Sequence, residues 1–124
     1  MADGTTVTVA DLVAWVHRFS EVIAEHADEL TQLDSAIGDA DHGTNMRRGC
    51  RAAVEALAAA EPEDVMGFGR AIAMKVISTV GGASGPLYGS FFLALGTAAG
   101  KTSSLDAVGT VAALKAAVEA VKSR

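Results

Sequence analysis

The sequence has little with which to staple or brace a fold. It holds one cysteine, two prolines, one tryptophan, one tyrosine and four phenylalanines among 124 residues. The lone Cys50 cannot close an internal disulfide, and within a helical stretch it reads as a small buried hydrophobe rather than a reactive thiol. Positive charge is also scarce: 10 Lys and Arg stand against 15 Asp and Glu, a net charge of −5. That balance excludes the basic stripe a nucleic-acid partner requires, and no Lys/Arg cluster reads as a membrane-surface patch. The opening residues, MADGTTVTVADL, have neither the basic start nor the apolar run of a signal peptide. The longest strongly apolar stretch, around Ser90 to Ala99, is too short and too interrupted by glycine to span a bilayer. The expected setting is the cytoplasm.

What is abundant is small apolar residues, chiefly Ala and Val, within an apolar half of the composition. Many small side chains suit helices that approach one another closely, and the length fits one domain spanning residues 1–124. From Thr8 to Leu30, Leu12, Trp15, Val16, Phe19, Val22, Ile23 and Ala27 recur three and four apart, which predicts an amphipathic helix. Thr8 and Asp11 at its start form a capping box with Asp in place of Glu. A second helix is expected over Thr44 to Ala60, and a third from Pro62 in its first turn to Val80. A fourth, apolar on most sides and so central, runs from about Leu87 to Ala99. A fifth begins at Ser103 with Asp106 and carries the stripe Leu105, Val108, Val111, Ala112, Leu114 and Val118. No run alternates as a strand, so the class is all-α. The last helix stops at Lys122-Ser123-Arg124 without a Gly or Pro stop signal, and the chain reads as cut rather than finished.

Two loops break the helical pattern. In LDSAIGDADHGTNM, three aspartates, Asp34, Asp39 and Asp41, fall within eight residues with no Lys or Arg between them. Mg²⁺ takes oxygen ligands and commonly uses a few carboxylates together with phosphate oxygens and waters. Gly38 and Gly43 permit the backbone bend that would let the side chains converge. Three carboxylates around two such ions leave a positive remainder of about one charge, which a nucleotide diphosphate could balance. Taken singly, each aspartate also suits an Asx turn or a helix cap, and Asp41 is placed to cap the second helix. An EF-hand is excluded, because His42 and Gly43 follow Asp41 and Cys50 occupies the twelfth position. Zinc is disfavoured as well, since His17 and His26 lie on the first helix without a zinc-like spacing to His42. His42 is better suited to donate to a phosphate or to a neighbouring carboxylate.

The second loop, Gly81-Gly82-Ala83-Ser84-Gly85, lies between two helices. Exposed N–H groups and a following helix N-terminus make an anion site of such a loop. Glycines between helices are also ordinary turn chemistry, and the loop gains force only beside the acidic one. It is not a Walker A loop, because no Lys-Ser/Thr follows the last glycine. Lys75, Arg47 and Arg48 have solvated surface as their default.

Together, Asp34-x4-Asp39-Ala40-Asp41-His42-Gly43-Thr44-Asn45-Met46 and Gly81-Gly82-Ala83-Ser84-Gly85-Pro86-Leu87-Tyr88-Gly89 resemble the ADP-binding subunits, or L domains, of dihydroxyacetone kinases. The likeness extends through Leu30-Thr31 upstream and Phe91-Phe92 downstream, and holds register from the first helix to Arg124. Fatty acid kinases are similar in the Gly-Thr-Asn-Met portion but typically carry Thr where His42 stands. The resemblance implies an antiparallel barrel of α-helices, of which about five are present here. It implies Asp34, Asp39 and Asp41 as ligands of two Mg²⁺ ions. It implies His42, Gly43, Thr44 and Asn45, with Gly82, Ala83 and Ser84 of the glycine loop, as contacts to ADP or ATP. No residue of the chain is expected to act as a nucleophile, so none is named as catalytic.

The implied partners are a subunit that holds dihydroxyacetone and a phosphohistidine subunit of the phosphotransferase system that recharges the nucleotide. Family members continue beyond the position of Arg124 with a Gly-Lys-Ala-Glu-Pro-Gly-Asp-Lys-Thr-Met-like segment and further helices. Relative to them the fold is expected to be incomplete, with exposed helix faces through which copies could associate. Two other readings stand beside this one. The chain could serve a related kinase acting on another hydroxylated substrate, or a non-catalytic helical regulator that keeps the loops as relics.

Overall fold

A computed structural model describes residues 6–36, 41–80, 82 and 84–124; Gly38, Asp39, Gly81 and Ala83 lie outside the described residues. Six helices appear among them: α1 (Val9–Glu25), α2 (Ala27–Ser35), α3 (His42–Ala59), α4 (Val65–Thr79), α5 (Ser84–Ala99) and α6 (Ala107–Lys122). The all-α class holds. Two short strands, β1 (Val7–Thr8) and β2 (Ser104–Leu105), add an antiparallel clip that pairs Val7 with Leu105 and Thr8 with Ser104.

The helix count departs from the sequence pattern for a local reason. The single helix expected over Thr8 to Leu30 breaks at His26, whose backbone sits at φ −110° and ψ 14°. The periodicity survives that kink, because Ile23 and Ala27 are buried on either side of it. The start of α1 is as expected: Asp11 N donates to Thr8 Oγ1 at 3.1 Å, and Thr8 N donates to Asp11 Oδ2 at 2.9 Å. Pro62 lies outside the third predicted helix rather than in its first turn. Asp64 caps α4 instead, accepting from Gly67 N at 2.7 Å. Asp106 does the same for α6, accepting from Gly109 N at 2.7 Å.

Helices adjacent in sequence pack in succession from α2 to α6, and α1 lies on α3. The α4–α5 pair is antiparallel and close because glycine lines it. A Cβ on Gly69 would overlap the Phe92 carbonyl oxygen, and one on Gly96 would come within 3.0 Å of the Val65 carbonyl oxygen. The core runs through α1, α3, α4 and α5, with Phe68, Leu57, Ile72, Leu95 and Val65 fully buried. Donors at the start of α4 are satisfied from the α5–α6 connection, Val65 N reaching Thr102 O at 2.9 Å and Met66 N reaching Gly100 O at 3.1 Å.

A trough of about 390 Å³ is lined by Trp15 and Phe19 of α1, Leu87, Tyr88 and Phe91 of α5, and Val121 of α6. Beside it Val111, Leu114 and Val118 form an exposed apolar stripe on α6. No helix among the described residues is long and apolar enough to cross a membrane.

Candidate nucleotide and metal site

The acidic loop joins α2 to α3, and the glycine loop joins α4 to α5. The helices that flank them meet: α3 touches α2 through Gly43 and Thr31, and the end of α4 through Arg48 and Thr79. Asp34 is half-buried in the last turn of α2, and Asp41 is exposed at the N-cap position of α3. Asp41 N donates to Asp34 Oδ2 at 3.1 Å, which brings the two residues together at the start of α3. The capping alternative for Asp41 is not what the side chain does: it makes no cap hydrogen bond to the first turn of α3. Among the described residues, then, its carboxylate serves no cap.

Gly43 explains how α2 and α3 come close enough for this contact. Gly43 N donates to Thr31 Oγ1 at 3.1 Å. A Cβ at Gly43 would overlap the Ala27 carbonyl oxygen and come within 2.6 Å of Thr31 Oγ1. Only a residue without a side chain fits this approach. Thr31 thus satisfies one orphan donor in the first turn of α3, a role that sequence alone did not assign to it.

The first turn of α3 carries His42 and Asn45, both half-buried, buried Gly43 and exposed Thr44. At the second loop, Gly82 is exposed with φ +65°, a left-handed conformation that favours glycine. Ser84 is the first residue of α5, so its amide belongs to that helix's N-terminal donors. Helices α3 and α5 thus begin at His42 and Ser84, and the N-terminus of a helix carries a positive dipole end that suits phosphate. Asp39 and Ala83 lie outside the described residues, so the predicted site is seen in part. Among the described residues no group of three or more His, Cys, Asp or Glu could hold a metal ion. Asp34 and Asp41 are two of the three predicted ligands. Their oxygen-only donor set fits a hard divalent cation rather than a soft one.

Arg48 is exposed, as expected of a surface residue, and also links α3 to the end of α4. Its Nη2 donates to Asn45 Oδ1 at 2.7 Å, and Nε and Nη2 reach the Thr79 carbonyl oxygen at 3.2 and 3.1 Å. The available signal was its i,i+3 spacing from Asn45 on one helix face. His26 lies apart from the acidic loop's carboxylates in these contacts, its Nδ1 2.9 Å from Glu29 Oε1. Cys50 is buried, and burial pushes its thiol up to about 11, as a packed hydrophobe rather than a nucleophile requires.

The DAK2 domain family matches residues 36–124. The chain is 38% identical over 118 residues to the ADP-binding subunit DhaL of the PTS-dependent dihydroxyacetone kinase of Lactococcus lactis, covering 95% of this chain and 59% of that protein. It is 39% identical over 110 residues to the ADP-binding subunit DhaL of PEP-dependent dihydroxyacetone kinase 1 of Listeria innocua, covering 89% of this chain and 55% of that protein. A D-erythrulose kinase of Mycolicibacterium smegmatis is 35% identical over 108 residues, 82% of this chain and 18% of that protein. The chain thus spans little more than half the length of the two ADP-binding subunits it matches. With a family match over most of its length and an all-α fold, the chain belongs to the DAK2 domain family.

Proposed function

We propose that this chain is the nucleotide-holding component of a dihydroxyacetone kinase. In this reading residues 1–124 act as one helical domain, and ADP or ATP sits with its phosphates between the first turns of α3 and α5. The observation that carries it is the hydrogen bond from Asp41 N to Asp34 Oδ2, which brings the Asp34 carboxylate to the backbone at the start of α3. Asp34, Asp39 and Asp41 would hold two Mg²⁺ ions, which when bound neutralise phosphate charge and stabilise its redistribution during transfer. His42, Gly43, Thr44 and Asn45 would orient the nucleotide on one side. Gly82, Ala83 and Ser84 would offer backbone and hydroxyl donors to phosphate oxygens on the other. The chain supplies no nucleophile, so its contribution is positioning and electrostatic stabilisation of phosphoryl transfer.

The acceptor, dihydroxyacetone, would be held by a partner subunit, and a phosphohistidine subunit of the phosphotransferase system would recharge the nucleotide, in the cytoplasm. The names of the L. lactis and L. innocua relatives support this reading. Closure of the helices into a barrel, and association of copies through the exposed α6 stripe, belong to the same proposal. The likeness to a D-erythrulose kinase favours one second reading, a kinase domain serving another short hydroxylated ketose. Assays with dihydroxyacetone and erythrulose as acceptors, using the partner subunits, separate the two.

Calorimetric titration of ADP into the chain, with Mg²⁺ and again with EDTA, tests the site itself. Magnesium-dependent binding that is lost in D41N is expected. Binding of equal affinity in D41N and wild type refutes the metal assignment.

A further inference from the structure

Arg48 makes three hydrogen bonds, one within α3 to Asn45 and two that cross from α3 to the end of α4. Nη2 donates to Asn45 Oδ1 at 2.7 Å, while Nε and Nη2 converge on the Thr79 carbonyl oxygen at 3.2 and 3.1 Å. Thr79 ends α4 and stands two residues before Gly81, so its carbonyl is one of the helix's orphan acceptors. The next residue, Val80, is buried against the same turn of α3, where a Cβ on Gly49 would overlap Val80 Cγ2. The start of α3 and the end of α4 are therefore joined by an exposed polar tie beside a close approach of Gly49 to Val80.

We propose that Arg48 is a positioning residue for phosphate binding, a proposal that rests on the nucleotide reading above. By engaging Oδ1 of Asn45, the guanidinium fixes which end of that amide is an acceptor and leaves the NH₂ end as the donor. By engaging Thr79 O, it fixes the point at which the glycine loop departs from α4. One planar group thus sets the spacing between the donors at the start of α3 and those at the start of α5. Only a fork can do this: an ammonium is a point charge and cannot hold the same coplanar pair of acceptors.

The test uses the 124-residue chain as wild type, R48K and R48M, with Mg-ADP affinity and amide hydrogen exchange as readouts. Both variants are expected to bind Mg-ADP about tenfold or more weakly. Both are expected to exchange faster in two places, the first turn of α3 and the residues that follow Val80. R48K at wild-type affinity would show that charge alone matters and overturn the proposal. So would faster exchange confined to the end of α4, which is what a mere helix cap would give. A double-mutant cycle with N45A adds a third readout. If Arg48 acts through Asn45, the losses in affinity are less than additive, and full additivity refutes it.

Should wild type bind no Mg-ADP, the nucleotide reading falls. Exchange still decides the tie, since acceleration at both loops upholds it and acceleration at one overturns it.

Discussion

Gly43→Ala is the most direct probe of how the fold builds the site. Alanine would normally be favoured over glycine in a helix, by up to about 1 kcal/mol at an interior position. Here the added methyl would meet backbone rather than a flexible side chain: the Ala27 carbonyl oxygen, with Thr31 Oγ1 at 2.6 Å beyond it. A carbonyl inside α2 cannot swing aside, so α2 and α3 must separate. Overpacking of this kind costs about 1–3 kcal/mol. Separation also stretches the bond from Gly43 N to Thr31 Oγ1, now 3.1 Å, worth about 1 kcal/mol. Set against a propensity gain reduced by the position at the helix start, the net loss should be about 1–3 kcal/mol. Urea denaturation would show it as a lower midpoint with an unchanged slope. The same displacement draws Asp34 away from Asp41 N, so Mg-ADP affinity should fall further than stability alone accounts for. A G43A chain as stable as wild type would refute the close approach, and unchanged affinity in a destabilised chain would refute its link to the site.

Two further outcomes follow from the packing. The raised Cys50 thiol, at about 11, should react with iodoacetamide orders of magnitude more slowly at pH 8 than an exposed thiol, and alkylation at the exposed rate would contradict its burial. The fold favours the protonated thiol, so its contribution to stability is present below the unfolded pKa of about 8.5 and is lost as pH rises from there through about 11; denaturation of wild type against Cys50→Ala across that window reads it. The exposed Val111, Leu114 and Val118 stripe should make the chain associate as concentration rises, and V118E should return it to monomer in sedimentation velocity, whereas a wild-type chain that stays monomeric at high concentration excludes that face as an interface.

The fold class was legible because helical periodicity dominates a chain with few competing signals. Leu12, Val16 and Ile23 recur on one face of α1 and are all buried. The break at His26 was not legible, because a one-residue kink leaves buried residues on both sides of it in step. The capping box at Thr8 was readable since both partners lie within one turn. Asp64 was missed as a cap because Pro62 offered a competing start two residues earlier. The strands at Val7–Thr8 and Ser104–Leu105 are two residues each, too short to show alternation, and exist only because distant segments meet. Around the candidate site, residue types suggested a chemistry but carried no sign of the links between segments. Thr31 and Arg48 act across gaps of 12 and 31 residues, and a single sequence carries no record of such pairings.

Those long-range links determine what kind of site this is. Phosphate recognition by backbone N–H groups is precise only when the helices that carry them are fixed to one another. Three contacts do this, each from a different chemical class. A side-chain hydroxyl, Thr31, holds the first turn of α3 to α2; a carboxylate, Asp34, receives the amide of Asp41; and a guanidinium, Arg48, ties α3 to the end of α4. The Asp34 contact is the one that ligand chemistry would alter, since a carboxylate shared between an amide and a cation responds to both. The Thr31 and Arg48 contacts involve none of the proposed cation ligands, so in that reading they tie the helices whether or not a cation is bound. In the nucleotide reading proposed above, that division would keep the helix ends fixed while the Asp34 contact responds to phosphate arrival and departure.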